Sequence, residues 1–264
     1  MSRRILTRIA LVFIVCVVLL LALVGRQLMA PALPPVAEGE QPTPSAGQVA
    51  RGAYLARAGN CMACHTARGG EPYAGGHVVN TPFGNLVAGN LTPDRATGLG
   101  AWSAEAFRRA LHEGLSRDGR LLYPAFPYAH TTRLTDEDAD ALFAYLRSLP
   151  PVQRAVEPHT LRFPYGTQAA LAVWRLLNFE PGRQVVDASR DAEWNRGAYL
   201  VEGVAHCAAC HSGRDALGGT ASMWAGGLMP DGRWYAPSLL DPAEAGLQEW
   251  PVERVVALLR DGSV

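Results

Sequence analysis

The feature that most constrains this chain is a five-residue pattern that occurs twice, as Cys61-Met-Ala-Cys64-His65 and as Cys207-Ala-Ala-Cys210-His211. Two thiols three positions apart, followed at once by a histidine, are the pattern that attaches a c-type haem. The cysteines form thioethers with the haem, and the histidine becomes an axial ligand of its iron. A zinc site or a redox-active dithiol would use the cysteine pairs but leave both histidines unexplained. We therefore predict two covalently bound c-type haems.

The segments around the two motifs repeat each other. Arg51-Gly-Ala-Tyr-Leu55 recurs as Arg196-Gly-Ala-Tyr-Leu200, ten and eleven positions before the first cysteine of each motif. Residues 88–102 and 236–250 form a second matching pair, each beginning with Ala and ending with Trp. Because several features recur in one order at nearly one spacing, the chain is predicted to contain two copies of one small haem domain.

Helical patterns place three short helices in the first copy. One leads into the first motif over residues 48–58, one runs from a cap at Ser103 to about Glu113, and one covers Thr135–Ser148. Thr135 is a favourable N-cap, acidic residues follow it, and apolar residues then recur at helical spacing. The predicted fold is all-α, with tandem class I cytochrome c domains behind an N-terminal transmembrane helix.

The domain boundaries follow from the repeat. The first cytochrome c domain is placed at residues 48–150, a connector at 151–190, and the second domain at 191–264. When the copies are aligned, residues 262–264 correspond to residues 114–116. The second domain is therefore expected to be incomplete at its C-terminal end.

The N-terminal segment indicates export. Residues 1–8 contain three arginines, and the uncharged apolar run Ile9–Val24 follows. This run approaches the roughly 17–25 residues that a spanning helix needs. We predict a membrane anchor over residues 9–25, with a cleaved signal segment as the alternative. Because basic residues remain on the cytoplasmic side, the haem domains are expected on the periplasmic side of the inner membrane.

Two further features belong to this region. Residues 26–47 are rich in proline and predict a semi-extended spacer between the membrane and the first domain. Cys16 lies outside both motifs, within the apolar run, and is interpreted as an apolar membrane residue.

The sixth ligand of the first iron has few candidates. No methionine lies between Met62 and Met223, which leaves His77, His112 and His130 in the first copy. His130 precedes the third predicted helix and is named as a possible sixth ligand. An exposed loop histidine and an open or water-bound iron are the alternatives. No sixth ligand is assigned to the second haem.

Three other side chains lie near the haem motifs or in the repeated segments. Trp102 and Trp250 are each candidates for donating an indole N–H to a haem propionate, or for plain core packing. His206, which precedes the second motif, is interpreted as a surface residue.

Three long segments carry a family resemblance. They read RGAYLARAGNCMACHTA, TPFGNLVAGNLTPDRATGLGAW and DGRLLYPAFPYAHTTRLTDEDADALFAYLRSLP. They resemble the multihaem cytochrome c subunits of membrane-bound alcohol, gluconate, aldehyde and nicotinate-type dehydrogenases, over about residues 48–264. Such subunits usually have three haem domains, so this chain resembles a shortened member. Many also carry methionine where this chain has Phe126, which cannot bind iron.

The resemblance implies a function. A catalytic dehydrogenase subunit would oxidise the substrate, and the haems would pass its electrons towards quinone or a terminal oxidase. This chain would then be an electron-transfer subunit and not itself an enzyme. A free-standing dihaem carrier and a dihaem peroxidase are the alternatives. Twenty-four basic and 24 acidic residues cancel, so charge gives no reason to expect a nucleic-acid partner.

Overall fold

The computed structural model describes residues 3–263. Within these described residues, nine α-helices, α1 to α9, cover Arg3–Leu28, Ala46–Ala58, Cys61–Cys64, Ala104–Glu113, Tyr128–Thr131, Asp136–Arg147, Gln168–Asn178, Ala192–Tyr199 and Val252–Asp261. One π-helical turn covers Leu200–Val204, and two 3-10 turns cover Cys207–Ala209 and Leu247–Glu249. The seven strands, β1 to β7, cover Val78–Thr81, Gly84–Val87, Thr160–Leu161, Gly213–Arg214, Thr220–Ser222, Gly227–Leu228 and Tyr235–Ala236.

The all-α class is not confirmed, because short strands accompany the helices. Helices hold 42% of the residues, but the strands form three small antiparallel sheets, ordered β1-β2-β3, β4-β5 and β6-β7. Each strand has only two to four residues, which is too short to produce a recognisable alternation of apolar and polar residues. Gly84 begins β2 with a φ of +126°, a conformation that glycine adopts readily, and this permits the tight turn from β1.

The core of the first copy is built on α2 and α6. Ser45 caps α2, because its hydroxyl accepts from the backbone N–H of Gln48 while the Gln48 side chain accepts from the N–H of Ser45. The two helices approach closely at Gly52, where an added Cβ would lie 2.6 Å from the carbonyl carbon of Ala141 and 2.7 Å from the Cβ of Tyr145. Only a residue without a side chain allows this approach.

The other two predicted helices are confirmed together with their caps. Ser103 accepts from the N–H of Ala106 at 3.0 Å at the start of α4, and Thr135 accepts from the N–H of Asp138 at 3.1 Å at the start of α6. The core also includes side chains from the second copy, since Tyr199 and Val204 are buried in the same cluster as the α2, α4 and α6 side chains.

A buried carboxylate connects the two copies. Asp138, in the first turn of α6, is completely buried. Arg51 donates from Nε to its Oδ1, and the Tyr199 hydroxyl donates to its Oδ2 at 2.7 Å. Arg196 Nη1 lies 3.9 Å from the same Oδ2. Both Arg-Gly-Ala-Tyr-Leu segments therefore meet at one side chain.

The proline-rich segment does not behave as the predicted spacer. It is extended, but its backbone is hydrogen-bonded to the first copy: Leu33 N–H donates to Arg117 O at 2.8 Å, and Val36 N–H donates to Ala101 O at 3.1 Å. Arg109 Nη1 also donates to Pro31 O at 2.7 Å. The first copy consequently lies close to the end of α1.

The predicted connector contains a helix that the sequence patterns did not predict. In α7, Leu171 and Ala172 are buried, and Val24 of α1 packs against them. Thr167 caps this helix by accepting from the N–H of Ala170 at 3.2 Å. The segment between the copies is thus partly ordered against α1.

The second copy repeats part of the first. Helix α9 follows Trp250 as α4 follows Trp102, and each helix is terminated by a left-handed glycine, Gly262 at φ +68° and Gly114 at φ +59°. No residue of α9 is buried, whereas α4 buries five. The expectation that the second domain is incomplete stays a prediction.

Candidate haem-attachment sites

The first motif lies on a short helix. Cys61 and Cys64 are one turn apart on α3, so both thiols face the same side. Asn60 precedes them in the left-handed conformation, with φ +48°, and turns the chain between α2 and α3. His65 follows at the C-terminal end, and its Nδ1 lies 2.7 Å from the carbonyl oxygen of Gly89.

The second motif has the same arrangement. Cys207 and Cys210 lie at the start and just after the end of a 3-10 turn, and His206 precedes them in the left-handed conformation with φ +42°. His211 Nδ1 lies 2.8 Å from the carbonyl oxygen of Pro237.

These histidine contacts determine which ring nitrogen is available. A carbonyl oxygen only accepts, so Nδ1 of each histidine must carry the proton and donate it. The unprotonated Nε2 is then the nitrogen that can bind a metal, and the carbonyl fixes the orientation of the ring. Gly89 and Pro237 each follow the alanine that begins one of the matching segments, residues 88–102 and 236–250. The sequence repeat therefore already indicated that the two positions are equivalent.

A pair of glycines completes the correspondence. Gly75 N–H donates to His65 O at 2.8 Å, and Gly226 N–H donates to His211 O at 3.1 Å. Both glycines have positive φ, +74° and +76°. An added Cβ would lie 2.7 Å from Asn90 N in the first case and 2.7 Å from Ser238 N in the second. Each glycine thus lets the histidine segment approach the loop that supplies its acceptor.

The pKa of each motif thiol is raised above its ordinary value. Burial, reinforced by the charge of Cys64, raises the pKa of Cys61 to about 11. Burial is also the largest cause of the raised pKa of Cys64, Cys207 and Cys210. No disulfide joins these four cysteines. Among residues 3–263, no group of three or more histidine, cysteine, aspartate or glutamate side chains is arranged to hold a metal ion by itself.

The two motifs are neighbours in the fold. An added Cβ on Gly59 would lie 3.0 Å from Val204 O and 3.5 Å from Cys61 Sγ. The segment that precedes the first motif therefore touches the segment that precedes the second.

The structure places His130 on α5, facing the second copy. Its Nδ1 lies 3.2 Å from Glu202 O, and its ring centroid lies 6.5 Å from that of His206. Burial lowers its pKa to about 4, so the ring is neutral. His206 is half-buried rather than a surface residue, with Nδ1 3.1 Å from Val204 O.

The remaining candidates have other surroundings. His112 is buried on α4, and its Nδ1 is 3.7 Å from an Asp136 carboxylate oxygen. Phe126 and Trp102 are half-buried against the core. The Arg254 guanidinium lies over the Trp250 ring, 4.1 Å from the ring centroid. The predicted roles of the two indoles towards propionates stay predictions.

Comparison with known proteins shows the class to which the chain belongs. Residues 49–150 match the cytochrome c family model. The chain is 37% identical over 223 residues to a dihaem cytochrome c-type protein of Cereibacter sphaeroides, an alignment that covers 82% of this chain and 74% of that protein. The chain belongs to the cytochrome c family, and covalently bound haem c is its cofactor.

Subunits of dehydrogenases are also similar. A nicotinate dehydrogenase subunit of Pseudomonas putida is 47% identical over 221 residues, covering 80% of this chain and 18% of that protein. The fructose dehydrogenase cytochrome subunit of Gluconobacter japonicus is 36% identical over 233 residues, covering 86% of this chain and 48% of that protein. The chain thus spans about half or less of the length of these two relatives.

One helix in residues 3–263 could cross a membrane. Helix α1 has 26 residues and is apolar enough by composition. An N-terminal signal sequence would share these properties.

Proposed function

We propose that this chain is the electron-transfer cytochrome c subunit of a membrane-bound dehydrogenase and that it carries two haems. The observation that carries the proposal is the shared geometry of the two motifs: in each, the histidine Nδ1 faces a backbone carbonyl and Nε2 is left for a metal. The similarity to dehydrogenase cytochrome subunits supports the partner class.

In this proposal each side chain has one role. Cys61 and Cys64 hold the first haem through thioethers, Cys207 and Cys210 hold the second, and His65 and His211 are the proximal ligands. Haem iron supplies one-electron oxidation and reduction when bound. The protein holds each imidazole in a fixed direction through Gly89 O or Pro237 O, which keeps the basic Nε2 aligned.

The arrangement in the membrane follows from the same proposal. Residues 1–8 are cytoplasmic, residues 9–25 within α1 anchor the chain, and the cytochrome c domains at 48–150 and 191–264 lie on the periplasmic side of the inner membrane. The catalytic partner oxidises the substrate on that side. Quinone or a terminal oxidase receives the electrons.

Haem counting tests the attachment sites. The pyridine haemochrome absorbance of the purified chain should correspond to two haems per polypeptide, and Cys61→Ser or Cys207→Ser should each lower that number. Cys16→Ser is the matched control, because Cys16 lies in α1 outside both motifs. Equal haem content in all three variants would refute the assignment of these cysteines.

Purification from native membranes tests the partner. If the chain is a dehydrogenase subunit, a catalytic subunit should co-purify in mild detergent, and its substrate should reduce the haems. The similarity to a dihaem cytochrome c-type protein favours a free-standing carrier as the second candidate. That candidate is preferred if the chain purifies alone and only quinol or a small cytochrome reduces it. Peroxide turnover by the isolated chain would instead indicate a peroxidase.

A further inference from the structure

Helix α7 has an unusual outer face. Ala169, Val173, Leu176 and Leu177 are all exposed and recur at positions i, i+4, i+7 and i+8, so they form one stripe along the helix. Leu177 is 66% exposed. The outer face of a helix on a water-soluble domain is normally polar. We call these four residues the apolar stripe of α7.

The inner side of α7 packs against the end of the predicted anchor. Val24 contacts the cluster formed by Leu171 and Ala172. Gln27 Nε2 donates to Ala172 O at 3.3 Å, and Arg175 Nε donates to Gln27 Oε1 at 2.9 Å. These contacts fix α7 relative to the last turn of α1.

The position of these contacts along α1 locates α7 relative to a bilayer. Val24 is the last residue of the uncharged run, so it lies where that run would leave the hydrocarbon. A helix packed against Val24 and Gln27 consequently lies at the boundary between hydrocarbon and water. Amphipathic helices at this depth bury an apolar face among the lipid headgroups and upper acyl chains.

Phe163 is a further exposed apolar residue, and it lies beside α7. Phe163 is 88% exposed, and it lines one shallow depression together with Gln168 and Leu171 of α7. Phenylalanine and leucine are among the residues that interfacial amphipathic helices place on their lipid-facing side. Isolated exposed apolar residues are common, but a stripe of four on one helix, with an exposed aromatic side chain close by, is more than scattered exposure and indicates an interaction surface.

We propose that the apolar stripe of α7 and Phe163 rest in the lipid interface of the leaflet from which α1 emerges. The bilayer is the occupant because α7 packs on the last turn of α1, the helix that would enter the bilayer. This inference rests on the proposed anchoring by α1. Its consequence is that the haem domains are held against the membrane surface by two contacts rather than one.

Site-directed spin labelling of the full haem-loaded chain in lipid nanodiscs tests the inference. Nitroxides are attached to Leu177→Cys, Leu19→Cys and Leu259→Cys in a Cys16→Ser background. The motif cysteines do not react, because they are thioether-bound in the loaded protein. Leu259 on α9 is the control, since it is 81% exposed and carries the same side chain. The measured quantity is the ratio of collision rates with oxygen, which enriches in lipid, and with a water-soluble nickel chelate.

The expected result is a ratio several-fold higher at positions 177 and 19 than at position 259. A high ratio at 19 with equal ratios at 177 and 259 would overturn the α7 inference while leaving the anchor intact. A low ratio at 19 would overturn the anchor and the inference together. In native membranes, a label at 177 that is immobilised and shielded from both reagents would show that another protein, and not lipid, covers the stripe.

Discussion

Adding one methyl group to the same repeated segment should have opposite consequences in the two copies. Gly52 and Gly197 occupy equivalent positions in the Arg-Gly-Ala-Tyr-Leu segments, on α2 and α8. A Cβ on Gly52 would overlap the backbone of Ala141 on α6, whereas nothing lies within 4 Å of a Cβ on Gly197. The two substitutions therefore share the same chemistry and differ only in the space available.

The magnitude follows from two contributions. Alanine is favoured over glycine within a helix by about 1 kcal/mol, and this contribution is common to both variants. Overpacking a well-packed core costs about 1–3 kcal/mol, and it applies only to Gly52→Ala, where the obstacle is a helix backbone and not a mobile side chain. Gly52→Ala should accordingly be less stable than Gly197→Ala by about 1–3 kcal/mol.

Urea unfolding of the haem-loaded chain in detergent, followed by circular dichroism and by Soret absorbance, measures the difference. Gly197→Ala should have a midpoint at or above that of the wild type, and Gly52→Ala should have a lower one. Equal midpoints for the two variants, with unchanged slopes, would refute the close approach of α2 and α6 as the reason for glycine at position 52.

Three further outcomes are expected. Asp138→Ala should lower the free energy of unfolding by about 1–3 kcal/mol, because it leaves the buried Tyr199 hydroxyl without its acceptor; Asp140→Ala, which breaks a half-exposed pair with Arg108, should cost about 0–1 kcal/mol. If His130 binds iron, His130→Ala should convert one haem from low to high spin in its absorption spectrum, and an unchanged low-spin spectrum would exclude that ligand. Burial lowers the pKa of His112 to about 4. As the pH falls below about 6.5, this histidine therefore binds a proton in the unfolded chain before it does so in the folded chain. Stability should drop between about pH 6.5 and about pH 4 by on the order of 3 kcal/mol from this residue, and His112→Phe should lose less stability over that interval in acid-titrated urea unfolding.

Local signals in the sequence predicted three helices of the first copy, α2, α4 and α6. Ser103 and Thr135 start their helices because a hydroxyl one residue before a helix satisfies a backbone N–H of its first turn, and this depends only on neighbours in the chain. The proximity of each CxxC pair to its histidine is likewise local. For these parts of the fold, a few neighbouring residues in the chain are enough to determine the local structure.

The contacts that complete the sites are not local. Gly75 and Gly226 play one role, but they follow their histidines by ten and fifteen positions, so alignment by spacing does not pair them. Helix α7 was not predicted because both of its sides are apolar in part, one against α1 and one exposed. Its pattern therefore lacks the polar face by which a surface helix is recognised.

The two kinds of long-range contact differ in how easily a substitution can remove them. The acceptors that orient His65 and His211 are backbone carbonyls, which remain when the side chain at position 89 or 237 changes. The contact between the copies is made mainly by side chains: the Asp138 carboxylate accepts from Arg51 and Tyr199, and Tyr199 and Val204 pack into the shared core. A backbone contact that fixes the direction of an iron ligand can thus tolerate sequence change, while the side-chain contacts that place one motif beside the other are more sensitive to it. Substitutions at Asp138 or Tyr199 should consequently disturb the placement of one motif beside the other more readily than substitutions at positions 89 and 237 disturb the histidines.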